Sequence, residues 1–296
     1  MNKKILVAGA TGNLGERIVK ALIKRGAEVR ILNRKETDPA KTKKLTELGA
    51  EVIAVNMSDT QGLKLACQGV SCVVSALAGL HDVIVDSQTL LLDAAIAAGI
   101  PRFIPSDFAS DFTKIPEGEN RNFDLRKEFH KYLDKSPIAA TSILNGAFTD
   151  ILSYKTPLYN PNDCSVAYWG DNPDWKIDFS TMDNTADYTA AAALDSATPK
   201  ILRIASFQIS PNELIAIGEE VKKTSFNLVP MGSLEEFSAS NKRERAAHPE
   251  GEKEMYPNWQ VNQYLYSMFS VQNQPLDNNR YPDVQWTSAI EVISKI

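Results

Sequence analysis

Cysteine is scarce: Cys67, Cys72 and Cys164 are the only three in 296 residues, and no two of them form a CxxC pair. That odd, unpaired set argues against a disulfide framework, and because His81, His130 and His248 are scattered, no metal site is expected either. Long apolar runs are also missing. No stretch approaches the ~20 consecutive apolar residues that cross a bilayer. The opening Met1-Asn2-Lys3-Lys4 leads into the short apolar run Ile5-Leu6-Val7-Ala8, with no cleavage-site pattern after it. A soluble, cytoplasmic chain with no membrane association is the expectation. Basic residues number 32 against 37 acidic ones, a net charge of -5, and no run of Lys and Arg could track a phosphate backbone. Nucleic acid is therefore not an expected partner.

What is present suits a folded α/β protein, with 43% hydrophobic and 23% charged residues. Short apolar runs alternate with amphipathic ones from Ile5 to about Leu144, the rhythm of strand-helix units on a parallel sheet. Strands are predicted at Ile5–Ala8, Val29–Leu32, Glu51–Val55, Ser71–Ser75, Arg102–Pro105 and Thr141–Leu144. Helices are predicted from Leu14 to Gly26, from Asp38-Pro39 to Gly49, from Asp59 to Cys67, at Val83–Ala98 and at Phe123–Leu133. Past Asn145 the chain becomes rich in Pro, Asn and Tyr, with strand-like pieces at Val166–Trp169 and Lys176–Phe179. A helix at Ala186–Leu194, a strand at Ile201–Ile209 and a helix at Asn212–Lys223 follow. The expected architecture is a doubly wound parallel sheet with a smaller C-terminal substrate lobe. Residues 1–150 would form the dinucleotide domain and 151–296 mostly the lobe, with segments near 185–205 returning to the first domain.

The first strand runs into Gly9-Ala10-Thr11-Gly12-Asn13-Leu14-Gly15, a GxxGxxG loop set between a strand and a helix. Glycine there permits a tight turn, lets backbone approach a pyrophosphate and allows the helix to pack on the strand, while the helix N-terminus faces the anion. A glycine-rich connection without a ligand is the competing reading. Strand two ends in Asn33-Arg34-Lys35, with no acid before Glu36. A carboxylate at this turn would suit the ribose hydroxyl of NAD, whereas Arg34 and Lys35 suit the 2′-phosphate of NADP(H). The alternative is two solvated surface cations.

The run Val7-Ala8-Gly9-Ala10-Thr11-Gly12-Asn13-Leu14-Gly15, followed by Leu32-Asn33-Arg34, resembles the NmrA-like and isoflavone-reductase-like atypical short-chain dehydrogenases. Arg102-Phe103-Ile104-Pro105-Ser106-Asp107-Phe108 is similar to that family's RF-x-PSEF segment, and Asn145-Gly146-Ala147-Phe148 to its NG-x-F turn. Asn279-Arg280-Tyr281-Pro282 resembles a C-terminal stretch of the same family. The resemblance implies a Rossmann domain, NADPH in the cleft and substrate between lobes. By it, Ser75, Ala76 and Leu77 line the cofactor, and Ser106, Phe108, Asn145 and Phe148 lie near the nicotinamide; each also has a core or turn reading. It implies two functional classes: reductases of phenylpropanoid-type or quinone-like acceptors, and regulators that bind the dinucleotide without turnover and act on a protein partner.

The catalytic residues are unknown at this level. Ordinary short-chain dehydrogenases use YxxxK, and the sequence has none, which also argues against a sugar-nucleotide epimerase or dehydratase. Plant-type reductases carry a Lys near the start of the helix after PSEF, and the resemblance aligns Leu125 with it; an offset of two would give Lys127 that role. At 100° per residue Lys127 points away from Leu125, while Phe129 and Tyr132 share the Leu125 face. That makes Tyr132 either a core residue or an acid, and places His130 on an exposed face. His81 follows the fourth strand and is either a ligand contact or a solvated loop residue. The aromatics Tyr154, Tyr159, Trp169 and Trp175 are a pocket or its scaffold. Hydride transfer needs mostly positioning, and a quinone can take its proton from water. An NADPH-dependent reductase of a small carbonyl, enone or quinone-like acceptor is preferred, with the sensing regulator as the alternative.

Overall fold

The computed structural model describes residues 3–35, 37–153 and 156–296. Tyr154 lies outside the described residues. Strand β1 (Lys4–Ala8) turns through the glycine loop into helix α1 (Asn13–Lys24), whose Ile18, Val19 and Leu22 are buried on one face. Strand β2 (Glu28–Asn33) precedes α2 (Pro39–Glu47), which Asp38 caps by accepting a hydrogen bond from the Ala40 amide. After β3 (Glu51–Ala54), Asp59 caps α3 (Thr60–Cys67) in the same way, through the Gly62 amide. Strand β4 (Cys72–Ser75) leads to the first departure from the predicted pattern. The helix expected at Val83–Ala98 opens with a π-helical turn, Asp82–Ser87, before α4 (Gln88–Ala97). The Ser87 hydroxyl donates to the Asp82 carbonyl at 2.8 Å, and Gly79 admits Val83 where a Cβ would lie 2.5 Å from it.

Strand β5 (Arg102–Ile104) and helix α5 (Arg121–Leu133) follow as predicted, but the sixth sheet strand is β6 (Ala139–Ala140). The predicted Thr141–Leu144 strand forms as β7 (Ser142–Leu144), outside that sheet. Elements β8 (Ala147–Phe148), β9 (Ser165–Tyr168), β10 (Ile177–Ser180) and α6 (Met182–Leu194) come next. The strand expected over Ile201–Ile209 is two, β11 (Ile201–Arg203) and β12 (Phe207–Ile209). Side chains interrupt it: Asp277 accepts from the Arg203 amide, and Asn278 accepts from the Ala205 amide while donating to the Ala205 carbonyl. The chain ends with α7 (Pro211–Lys222), β13 (Asn227–Pro230), α8 (Leu234–Ala247), α9 (Asn258–Ser270) and α10 (Ala289–Ile293).

The chain divides into two compact units. The first comprises 1–108, 125–143 and 185–202. Its sheet has the order β3-β2-β1-β4-β5-β6, all parallel, which is the Rossmann arrangement. Both faces of β1 are buried: Leu6 and Ala8 join Leu91, Leu92, Phe103, Phe129 and Leu133 in one core, and Ile5 and Val7 are equally inaccessible. Arg102 ties the 185–202 segment to this unit by donating to the carbonyls of Ala192 and Ala193, and Arg25 pairs with Asp187 at 2.8 Å.

The second unit comprises 109–124, 144–184 and 203–296, so the stretches 109–124 and 144–150 fall outside the continuous 1–150 domain expected from the sequence. It holds a three-stranded sheet in the order β12-β10-β8 and the parallel pair β13-β9. Tyr159 and Trp169 are core residues of this unit, with Trp169 stacked on Phe237 at 4.6 Å. The Trp175 indole donates to the Met268 carbonyl. Tyr159 and Trp169 are therefore scaffold, and Trp175 is partly exposed beside them. No helix among the described residues is long and apolar enough to cross a membrane.

Candidate cofactor site

The register of the sheet gathers the site. Ala8 lies opposite Leu32 on β2 and Ser75 on β4, and Val74 lies opposite Ile104 on β5. The segments after these residues therefore leave the sheet at the same, carboxyl-terminal edge, where ligands of open parallel sheets bind. Gly9 begins the first of them with a φ of 78°, a conformation costly for any residue with a Cβ. Its own Cβ would lie 2.4 Å from the Ala76 carbonyl oxygen and 3.0 Å from the Leu77 nitrogen. A Cβ on Gly15 would meet the Gly9 carbonyl oxygen at 2.1 Å. Both obstacles are backbone.

Gly12 occupies the N-cap of α1 and no side chain caps that helix, so the first-turn N–H groups are left for an outside acceptor. Gly12 and Asn13 are exposed, Thr11 and Leu14 partly so, and Gly15 is buried. Asn13 accepts from Arg17 at 3.0 Å. Arg34 and Lys35 stand exposed just past β2 at the same edge of the sheet. The cradle and the pair of cations fit a dinucleotide bearing an additional phosphate: backbone donors would hold the pyrophosphate and the guanidinium would suit the monoester.

On the other side of Gly9, Ser75 is wholly buried with no partner for its hydroxyl among the described residues, and Ala76 and Leu77 are partly exposed. The Ser106 hydroxyl donates to the Leu77 carbonyl at 2.6 Å, and the Ser106 amide donates to Gln88 Oε1 at 2.9 Å. Gln88 in turn donates to the Ile84 carbonyl in the π turn. Phe108 is 7% exposed. The structure thus brings Gly9, Ala76, Leu77 and Ser106 together and adds Gln88, which was hidden within a Leu- and Ala-rich helix. It also adds Asp107, which lies in the PSDF segment itself. In the second unit, Asn145 is inaccessible and neither atom of its amide group has a partner among the described residues. The amides of Asn145 and Gly146 donate to the Ala109 carbonyl, and Phe148 is partly exposed on β8.

The candidates for proton chemistry change character. Tyr132, expected on the inward face of α5, is 43% exposed, and its hydroxyl donates to Asp93 on α4. That hydrogen bond raises its pKa, the reverse of what a proton-shuttling phenol needs. The helix turns its Phe129 and Leu133 edge into the core, which carries Tyr132 out to solvent. His130, expected on an exposed face, has only a fifth of its side chain accessible and bonds Asp107 at 2.7 Å. His81 is half exposed between Glu128 at 3.0 Å and Asp86 at 3.3 Å, and the Glu128 bond contributes most to raising its pKa. Leu125 and Lys127 are both partly buried on α5. Burial pushes the thiols of Cys67 and Cys72 up to about 11 and about 12, so both stay protonated.

Bifunctional pinoresinol-lariciresinol reductase of Linum usitatissimum is 33% identical over 208 residues, 66% of this chain and 66% of that one, so the match spans about two thirds of the relative's length. The solved structure of AtPrR2 with NADP+ and (+)pinoresinol is 26% identical with a TM-score of 0.80, covering 100% of this chain and 99% of that chain. Isoflavone reductase, at 22% identity and a TM-score of 0.82 over 100% and 99% of the two chains, shares the fold. The model of the NmrA-like family matches residues 1–292, and the chain belongs to that family.

Proposed function

We propose that this chain binds NADP(H) along the Gly9–Gly15 loop and reduces a small carbonyl, enone or quinone-like acceptor. The carrying observation is the loop itself: Gly9 and Gly15 press on backbone where any Cβ would collide, and the adjoining helix start is uncapped. In this reading Thr11, Gly12, Asn13 and Leu14 hold the pyrophosphate, and Arg34 with Lys35 holds the 2′-phosphate. Ser75, Ala76, Leu77, Ser106 and Phe108 line the rest of the crevice in the first unit. Asn145 and Phe148 are assigned to the cofactor through the family motif.

The cofactor, when bound, supplies a hydride; the chain's own work is to bind, orient and exclude water. Ser106 is spent on the Leu77 carbonyl and so fixes backbone. Because His81 and Tyr132 are committed to carboxylates, the proton is assigned to solvent, which suits an acceptor whose reduced form is stabilised by conjugation. The reductases named among the relatives support the reaction class. The same commitment of His81 and Tyr132 favours a second reading, a dinucleotide sensor that changes its contact with a protein partner.

A titration with NADPH, NADP+, NADH and NAD+, followed by an acceptor panel of quinones, enones and aldehydes, tests both. Binding of NADPH with oxidation by at least one acceptor supports the reductase. Binding with no turnover, and a partner retained only when cofactor is present, supports the sensor. Failure to bind any of the four dinucleotides overturns both.

A further inference from the structure

Directly after Ser106, the Asp107 carboxylate is fully buried in the first unit. Its Oδ2 accepts from His130 Nε2 on α5 and from Ser142 Oγ on β7, both at 2.7 Å, while its Oδ1 has no partner among the described residues. A buried carboxylate bonded through one oxygen is tolerable when its partner carries the opposite charge and costly when it does not. Among the described residues the one cationic group bonded to it is an imidazole, which can lose its charge near neutral pH.

We propose that Asp107, His130 and Ser142 form a proton-gated latch that holds the Ser106–Phe108 segment against the cofactor crevice. The proposal rests on the reading of that crevice as a dinucleotide site. Its transmission is short. Asp107 is bonded in sequence to Ser106, whose hydroxyl and amide fix Leu77 and Gln88, and Leu77 belongs to the backbone that closes on Gly9. His130 acts through Asp107 and is therefore a positioning residue.

The surroundings of the imidazole favour the charged form. Burial withdraws its proton, but the Asp107 carboxylate returns it by charge and hydrogen bond, and Asp134 on the same helix, 4.0 Å from Nδ1, adds to this. Arg126, one turn back on α5, opposes, and the Ser142 hydroxyl on β7 is a neutral neighbour at 3.5 Å. The balance lies above the ordinary imidazole value of 6.5. With the imidazole neutral, the buried Asp107 carboxylate has no cationic partner among the described residues, and the segment gains by moving toward water. By linkage, a ligand that needs the closed segment must raise the proton affinity of His130.

The test is the NADPH dissociation constant from pH 6 to 9 for wild type, His130→Arg and His130→Gln, with the His130 ring proton followed by NMR. His130→Gln keeps the 2′-phosphate's own titration, at about pH 6, and supplies the baseline to which the wild-type and Arg profiles are referred. Wild type is expected to lose about fivefold in affinity as His130 titrates, the difference between a charged and a neutral hydrogen bond. His130→Arg, which cannot deprotonate in this range, should keep the low-pH affinity throughout, and bound NADPH should shift the wild-type His130 midpoint upward. A wild-type profile that survives in His130→Gln, or constant affinity while the His130 resonance titrates, overturns the latch. If His130→Gln does not fold, the wild-type and Arg profiles decide alone. Absence of NADPH binding at every pH overturns the dinucleotide reading, and the latch with it.

Discussion

In the proposed cofactor site two kinds of residue fail differently. Arg34 would act through charge and a planar fork of donors at an exposed turn, so Arg34→Ala should leave the fold intact. NADPH binding should weaken by about tenfold or more, the scale of a charged hydrogen bond to phosphate, while NADH binding changes by less than about twofold. Calorimetric titration of both dinucleotides checks this, and equal losses for the two would remove Arg34 from the 2′-phosphate. Gly15 acts by having no side chain. In Gly15→Ala the methyl group must sit where the Gly9 carbonyl oxygen lies 2.1 Å away, and no side chain can move aside to relieve it. The expected result is loss of dinucleotide binding together with a lowered unfolding midpoint, whereas Gly26→Ala, whose Cβ would meet nothing within 4 Å, should cost only the strain of its φ of 79°.

At the scale of elements, α5 shows which expectations the sequence could support. Its apolar residues Phe129 and Leu133 marked the buried edge correctly, because each has no polar group that could hold it at the surface. Tyr132 and His130 misled, because each joins an apolar ring to a polar tip, and their partners Asp93 and Asp107 lie 39 and 23 residues away, beyond any local pattern. Helix α9 escaped prediction for the opposite reason: its buried face includes Gln260, Gln263 and Ser267, which bond into a network with Asn120 and Arg121, so no apolar stripe announces it. The Rossmann half was legible because burial on both faces demands apolar runs and the glycine loop demands glycine. The π turn before α4 was not, since it depends on Gly79 and Ser87 acting across several residues. One helix thus yields two contrasting expectations. Phe129→Ala should cost about 3–5 kcal/mol of stability, and Tyr132→Phe, which loses an exposed hydrogen bond, about 0.5–1 kcal/mol. Urea unfolding of both variants checks the ordering.

At the scale of the whole molecule, buried ionisable groups set the response to pH. Asp178 on β10 is 4% exposed, and burial pushes its pKa up to about 6 despite bonds from the Gln208 amide group and the Asn273 backbone. Its raised pKa means that, between its ordinary 3.8 and about 6, the native state holds a proton that the unfolded chain has released. Stability from this group therefore falls as pH rises through that interval, and above it the native state carries the full cost of a buried charge. Asp111, also buried, behaves in the opposite sense. Burial opposes its ionisation, but the Thr113 hydroxyl and the Arg203 guanidinium outweigh it and lower the pKa, so its contribution is present above 3.8 and disappears in acid. The two can be separated by difference. Wild type should lose on the order of 3 kcal/mol relative to Asp178→Asn between pH 4 and 7, which is about two pKa units of linkage. Any constant effect of the substitution cancels, because only the change with pH is compared. Urea midpoints across that range measure it, and parallel curves for the two proteins would mean that Asp178 is ionised at no cost and that the Gln208 and Asn273 bonds offset its burial in full.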